Sequence, residues 1–190
     1  MENLYLIEDC EMQDVEKIKE YNEDFMKANP KWRPFVTDDN FELFLKEIEN
    51  KKQGIGNGGI KEIFYWFMEE GKIIGSGSIR LNPEIDDYTE KVCGHLFYQI
   101  IPSKRGKGYG TVLCHLLLEK MKEFGFKEAL ITCFDTNVGS IKIIESNGGE
   151  FIEYYIDESE QNPEYRKNRR YRFDIEKSLE EFVSRRNLNK

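Results

Sequence analysis

Between residues 96 and 124 the chain passes from an extended apolar stretch, LFYQII, through a glycine-rich basic turn, RGKGYG, into a leucine-rich segment. Few folds accommodate that order. Val112, Leu113, Leu116, Leu117, Met121 and Phe124 recur at helical spacing and predict a helix to about Phe124, with Gly125 placed to end it. The turn therefore joins the end of a strand to the start of a helix. A helix start offers backbone N–H groups without acceptors and the positive end of the peptide dipoles. Gly106, Gly108 and Gly110 carry no Cβ, so an anion can approach the main chain closely there. Arg105 and Lys107, with Lys104 nearby, add attraction. The competing reading is a tight turn with surface cations. Three alternating glycines at a helix start favour the anion, and by itself the loop specifies phosphate without naming a ligand.

A second glycine pattern, Gly54, Gly56 and Gly59, fits G-x-G-x-x-G in letters only. A dinucleotide loop needs a strand before it and a helix after it. Here a polar helical segment precedes and the strand-like EIFYWFM follows, so a connector is expected. A nucleotide-binding reading of the first turn is the weaker one, because no Gly-Lys-Ser/Thr follows it and the Mg-binding hydroxyl of a P-loop is missing.

The remaining elements read in order. LYLIE (4–8) is a strand. Val15, Ile18, Tyr21, Phe25 and Met26 mark a helix stopped by NPKW, and Asp38 or Asp39 can cap a second helix carrying Phe41, Phe44, Leu45 and Ile48. EIFYWFMEEGKIIGSGSIRL is a hairpin turning at Glu70-Gly71, followed by the acidic loop NPEIDDYTEK. EALITCF is a strand, NVGSIKIIESNGG a capped helix, EFIEYYI and YRKNRRYRFDI two strands, and residues 175–190 a helical tail. One domain over 190 residues, of mixed α/β (α+β) class, is the expectation.

The formal net charge of −8 argues against a general nucleic-acid binder and is compatible with a cationic substrate. Five cations interleave with Tyr165, Tyr171 and Phe173, a pattern that could suit RNA, but the preferred reading is a strand whose exposed face carries cations that discourage edge pairing. No apolar run reaches the ~20 residues of a membrane span, and MENLYLIEDCEMQD lacks the pattern of a secretory signal. Cys10, Cys93, Cys114 and Cys133 form no CxxC pair, so reduced thiols in a cytoplasmic protein and no metal are expected.

The segment from LFYQIIP through RGKGYG, the leucine-rich helix, ALITC, and Asn137 with Ser140, Ile143 and Gly148 resembles the GNAT superfamily of acyl-CoA-dependent N-acyltransferases, with RGKGYG on its Q/R-x-x-G-x-G/A motif. The order is also similar to a poorly characterised bacterial branch of predicted acetyltransferases. The resemblance spans about residues 63–155 and implies a single GNAT domain over 1–190. Its fold would be a central mixed, mostly antiparallel twisted sheet of about seven strands flanked by helices, with a splayed strand pair for acyl-CoA.

The resemblance implies acetyl-CoA as co-substrate. Its pyrophosphate would rest on Arg105, Gly106, Lys107, Gly108, Tyr109, Gly110 and Thr111. Pantetheine would pair with main chain near Gln99, Ile100 and Ile101, where an amide can serve an oxyanion. Asn137, with Ser140 beside it, would contact pantetheine and can also cap its helix. Many relatives carry a Tyr seven residues after that Asn to protonate the leaving thiolate, and here that position is Ile144. Tyr154, Tyr155 or a water would substitute.

For the general base, the family position falls at His95, which reads equally as a strand histidine bonded to backbone; Tyr98 and Glu84 are further candidates. His115, turned from the apolar face, is expected at the surface. Cys133 could form an acyl-cysteine or be a buried thiol. The implied function is transfer of an acetyl group to a primary amine of unspecified identity by direct attack in a ternary complex. The rival, motivated by Ile144, is a non-catalytic acyl-CoA-binding or sensing module. Homodimers are common in the superfamily, and no residue here specifies one.

Overall fold

The computed structural model describes residues 3–8, 14–34, 36–56, 59–81 and 94–188. Cys10, Cys93 and the acidic loop of Glu84, Asp86, Asp87 and Glu90 lie outside them. The chain divides into two compact units, Met1–Leu81 with Tyr98–Leu113, and Asn82–Phe97 with Cys114–Lys190.

β1 (Leu4–Ile7), β2 (Glu62–Glu69), β3 (Lys72–Arg80) and β4 (Leu96–Ile100) form a sheet in that order; the first three belong to the first unit, and β4 enters it at Tyr98. β2 and β3 pair antiparallel through a turn in which Glu70 and Gly71 have φ of 49° and 79°, the positive pair that matches strand twist in a two-residue hairpin. α1 (Val15–Ala28) lies against β3 and α2 (Phe41–Gln53) against β2. The core beneath these helices is aromatic. Phe64 meets Trp66 edge-on at 4.9 Å, Phe44 meets Phe64 at 5.8 Å, and Tyr21 meets Trp66 at 5.4 Å. Such rings combine large buried area with favourable edge-to-face geometry. Two details depart from the expected pattern. Met26 is exposed while Asn22 is buried, because the Asn22 amide donates to the Val36 carbonyl at 2.6 Å. The second helix starts from a 3-10 turn, Asp38–Asn40, in which Asn40 Oδ1 accepts the Thr37 N–H at 2.6 Å.

In the second unit, β5 (Glu128–Phe134), β6 (Glu150–Ile156) and β7 (Lys167–Asp174) form an antiparallel sheet in the order β5-β7-β6. α4 (Val138–Ser146), a one-turn α5 (Pro163–Arg166) and α6 (Ile175–Leu188) accompany it. α3 (Tyr109–Glu123) begins in the first unit and passes into the second after Leu113. The seven strands flanked by helices agree with the expected class, and hydrogen bonding arranges them as sheets of four and three.

Two expectations are corrected here. The cation-rich β7 is the central strand of its sheet, so its charges guard no edge. Lys167 and Arg169 pair with Asp135 at 2.9 and 2.5 Å, Arg170 with Glu153, and Arg172 with Glu128 at 3.8 Å. The outer strands are β5 and β6, and the register of β6 shifts between Phe151 and Glu153, an irregularity of the kind that interrupts edge-to-edge pairing. His115 is buried, because its ring stacks on Phe182 of α6 at 3.7 Å, an apolar surface that helix periodicity within α3 does not reveal.

Candidate functional site

The first unit holds the end of β4 and the glycine loop. Ile101 N–H donates to Ile74 O at 3.0 Å, so the main-chain groups of Gln99 and Ile101 face β3 and those of Tyr98 and Ile100 face away. The approach of the strands is close: a Cβ on Gly75 would lie 2.6 Å from the Gln99 carbonyl oxygen. Beyond Ile101 the chain makes a 3-10 turn, Pro102–Lys104, and extends at Arg105. Gly106 and Gly108 then adopt φ of 71° and 85°, a region that favours glycine. The amides of Thr111 and Val112 return to the Gly108 carbonyl at 3.1 and 3.2 Å. Among the described residues, the amides of Gly106, Lys107, Gly108, Tyr109 and Gly110 meet no backbone acceptor. Successive N–H groups ahead of a helix form a concave nest suited to anions.

The loop's side chains brace this nest. Arg105 Nε donates to Ile100 O at 3.0 Å with its guanidinium 5.5 Å from the Phe25 ring centre, and Lys107 Nζ donates to Ser103 O at 3.0 Å. Lys104 pairs with Glu69 at the end of β2, and the Tyr109 hydroxyl donates to Glu69 Oε1 at 2.6 Å. Those bonds hold the Glu69 carboxyl below the usual carboxylate range. Glu69 was not singled out in the sequence, where it is one acidic residue beside a turn.

The second unit contains His95, Asn137 and Ser140. His95 is buried; its Nδ1 accepts the Leu130 N–H at 2.9 Å and its backbone N–H donates to Leu130 O at 2.7 Å. With Nδ1 so engaged, the neutral ring carries its proton on Nε2 and has no lone pair to offer an amine. Asn137 Oδ1 accepts the Ser140 N–H at 3.0 Å, which is an N-cap. Ile144 is fully buried, with its Cγ2 2.4 Å from where a Cβ on Gly149 would stand. Tyr154 is exposed and lies under Lys167 Nζ at 3.8 Å. Burial pushes the Cys133 thiol up to about 11, so at neutral pH it is a thiol and a poor nucleophile. Gln99, Ile100, Ile101 and residues 105–111 thus share one unit with Tyr98, while His95, Asn137 and Ser140 belong to the other.

Comparison with known proteins gives this loop its setting. The chain is 28% identical over 93 residues to the Uncharacterized N-acetyltransferase YjgM of Escherichia coli (strain K12), spanning 48% of this chain and 54% of that one, about half the relative's length. RimJ of Mycobacterium smegmatis, solved with CoA-disulfide, shares the fold with a TM-score of 0.71 at 12% identity, over 95% of this chain and 88% of that one. Spermidine N-acetyltransferase of Vibrio cholerae, solved with CoA and spermine, does so with a TM-score of 0.65 at 17% identity. That likeness covers 94% of this chain and 99% of the other. Residues 17–148, which carry the glycine loop, both helices beside it in sequence and the Asn137 cap, match the Acetyltransferase (GNAT) family, and the chain belongs to that family.

Proposed function

We propose that the protein transfers an acetyl group from acetyl-CoA to a primary amine by direct attack in a ternary complex, with residues 1–190 acting as one acetyltransferase domain in the cytoplasm. The observation that carries this reading is the run of five amides without acceptors from Gly106 to Gly110, opening α3. Such a nest fits a pyrophosphate: its donors are oriented beforehand, and among the described residues nothing beyond Gly106's chain neighbours lies within 4 Å of a Cβ placed there. Acetyl-CoA would supply the thioester. Arg105, Lys107 and Thr111 would act chiefly through main chain, because Arg105 and Lys107 already hold carbonyls of their own segment.

Of the amides expected along pantetheine, that of Ile100 faces away from β3, and it is the donor this reading assigns to a developing oxyanion. Asn137 and Ser140 would flank pantetheine from the start of α4. An acceptor ammonium with pKa near ~10.4 must lose a proton before attack. With His95 bonded through Nδ1, Tyr98 and Glu84 are the further candidates to relay it, and Tyr98 is the one this reading takes. The leaving thiol, with pKa near ~8.5, departs without a tyrosine at position 144. The spermidine enzyme that shares the fold supports an amine acceptor.

A second reading, a non-catalytic acyl-CoA-binding module, is favoured by the burial of Ile144. A thermal melt with acetyl-CoA, and with ATP and NAD as controls, tests the ligand. Saturation at ~100 times Kd adds about 2.7 kcal/mol, and a rise in Tm of roughly 5–10 °C with acetyl-CoA alone is expected. A larger rise with ATP would overturn the acyl-CoA reading. Release of CoA thiol with an amine panel separates the enzyme from the module.

A further inference from the structure

Three cations stand in the glycine loop, and they are not equivalent. Arg105 and Lys107 donate to neutral carbonyls, which leaves their full charge to the surroundings. Lys104 is paired with a carboxylate, that of Glu69. Glu69 closes β2 immediately before the tight Glu70-Gly71 turn, so its backbone is fixed by the hairpin. Both of its oxygens point into the loop, Oε1 to the Tyr109 hydroxyl at 2.6 Å and Oε2 to Lys104. Tyr109 opens α3, and its amide is one of the five in the nest. A fixed negative charge therefore sits one side chain away from a place built for phosphate.

We propose that Glu69 is an internal competitor for the cofactor's phosphates: it holds Lys104 while the nest is empty and yields it when a phosphate arrives. The inference rests on the acyl-CoA reading of the same loop. Its physical content is an exchange of partners. A phosphate group carries more charge than a carboxylate and draws the ammonium across, while the displaced carboxylate keeps its bond from Tyr109 and is left beside the anion. Binding then proceeds against that repulsion, and release of CoA is assisted by it. Lys104 and Tyr109 hold the Glu69 carboxyl below its usual range, so the competitor is charged throughout the neutral region.

Titration calorimetry with CoA on four forms of the full chain decides this: wild type, Glu69→Gln, Lys104→Met and the double variant. Glu69→Gln should bind CoA about three- to tenfold more tightly, from the lost repulsion and the freed ammonium. Lys104→Met should bind it more weakly by a similar factor and with a flatter salt dependence. In the Lys104→Met background, Glu69→Gln should then add a smaller gain, that of the lost repulsion alone, the non-additivity expected of a shared contact. If Glu69→Gln binds CoA no better than wild type, Glu69 is only a brace for the loop and the proposal fails. An equal gain in both backgrounds also overturns it, because Lys104 would then have no part. Should Glu69→Gln not fold, Lys104→Met still decides, since affinity equal to wild type rules out any transfer of Lys104 to phosphate. A folded wild type that takes up no CoA would instead remove the acyl-CoA reading, and this inference with it.

Discussion

The side-chain amide of Gln99 donates to the hydroxyl oxygen of Tyr21 at 2.5 Å, joining β4 to α1 across 78 positions of sequence. The Tyr21 hydroxyl also shares a hydrogen bond with Ser76 Oγ, 3.2 Å away on β3. This chain of three polar groups lies within an aromatic core and fixes the helix nearest the glycine loop's strand. Burial pushes the Tyr21 phenol up to about 12 from its ordinary 10.0, so it stays a donor at every physiological pH.

Tyr21→Phe should therefore cost about 1–2 kcal/mol at neutral pH, because Gln99 and Ser76 each lose a buried partner. The raised phenol also gives a signature in alkali. The unfolded chain ionises first, so the Tyr21 contribution is complete below about pH 10 and is lost as pH rises toward 12, by on the order of 2–3 kcal/mol. Urea unfolding of wild type and Tyr21→Phe between about pH 9 and 12 should show the two stabilities converging. Parallel decline would mean that Tyr21 titrates as an ordinary tyrosine.

Gly108→Val should abolish the acetyl-CoA response in a thermal melt. Its φ of 85° strains any Cβ by about 1–3 kcal/mol, and the added side chain would crowd the nest. Gly125→Val is the matched control, with φ of 83° at the far end of α3. It should lower Tm comparably and keep the response. Loss of the response in both variants would make the effect one of stability alone.

Ile144→Tyr places a phenol where many relatives carry one, yet it should not speed thiol release. Ile144 is wholly buried against Gly149, and the larger ring overpacks that contact at a cost of about 1–3 kcal/mol. A lower Tm with no gain in turnover is the expected pair of results. A faster enzyme of undiminished stability would show that the position opens toward the reacting atoms.

His95→Ala leaves the Leu130 N–H without its acceptor, at about 1–3 kcal/mol. Amide exchange at Leu130 should accelerate well beyond that at strand positions elsewhere, and His95→Asn, which retains an acceptor oxygen, should recover part of the protection. Unaltered exchange at Leu130 would free His95 for a role in proton transfer.

Local patterns carried much of this in the sequence. The Glu70-Gly71 hairpin, the strand at 128–134 and the Asn137 cap each rest on residues adjacent in the chain, where turn chemistry and side-chain period act directly. The glycine loop was legible for the same reason: its glycines and its helix lie within a few residues of one another. His115 was misplaced because its burial depends on Phe182, 67 positions on, and no period within α3 reports a partner from α6. The cations of β7 alternate along the strand as those of an edge strand do. Its central place comes from pairing with both β5 and β6, a matter of topology.

The order of strand, glycines and helix is local in the chain, and it sets where backbone amides stand without acceptors at a helix start. Only the tertiary structure decided how the charges around that place are divided. Glu69 and Lys104 stand 35 positions apart, and their pairing exists because the hairpin carries β2 back to the loop. Electrostatic partners are chosen by distance in space, and that distance is set by sheet pairing and packing, which no local run of residues contains.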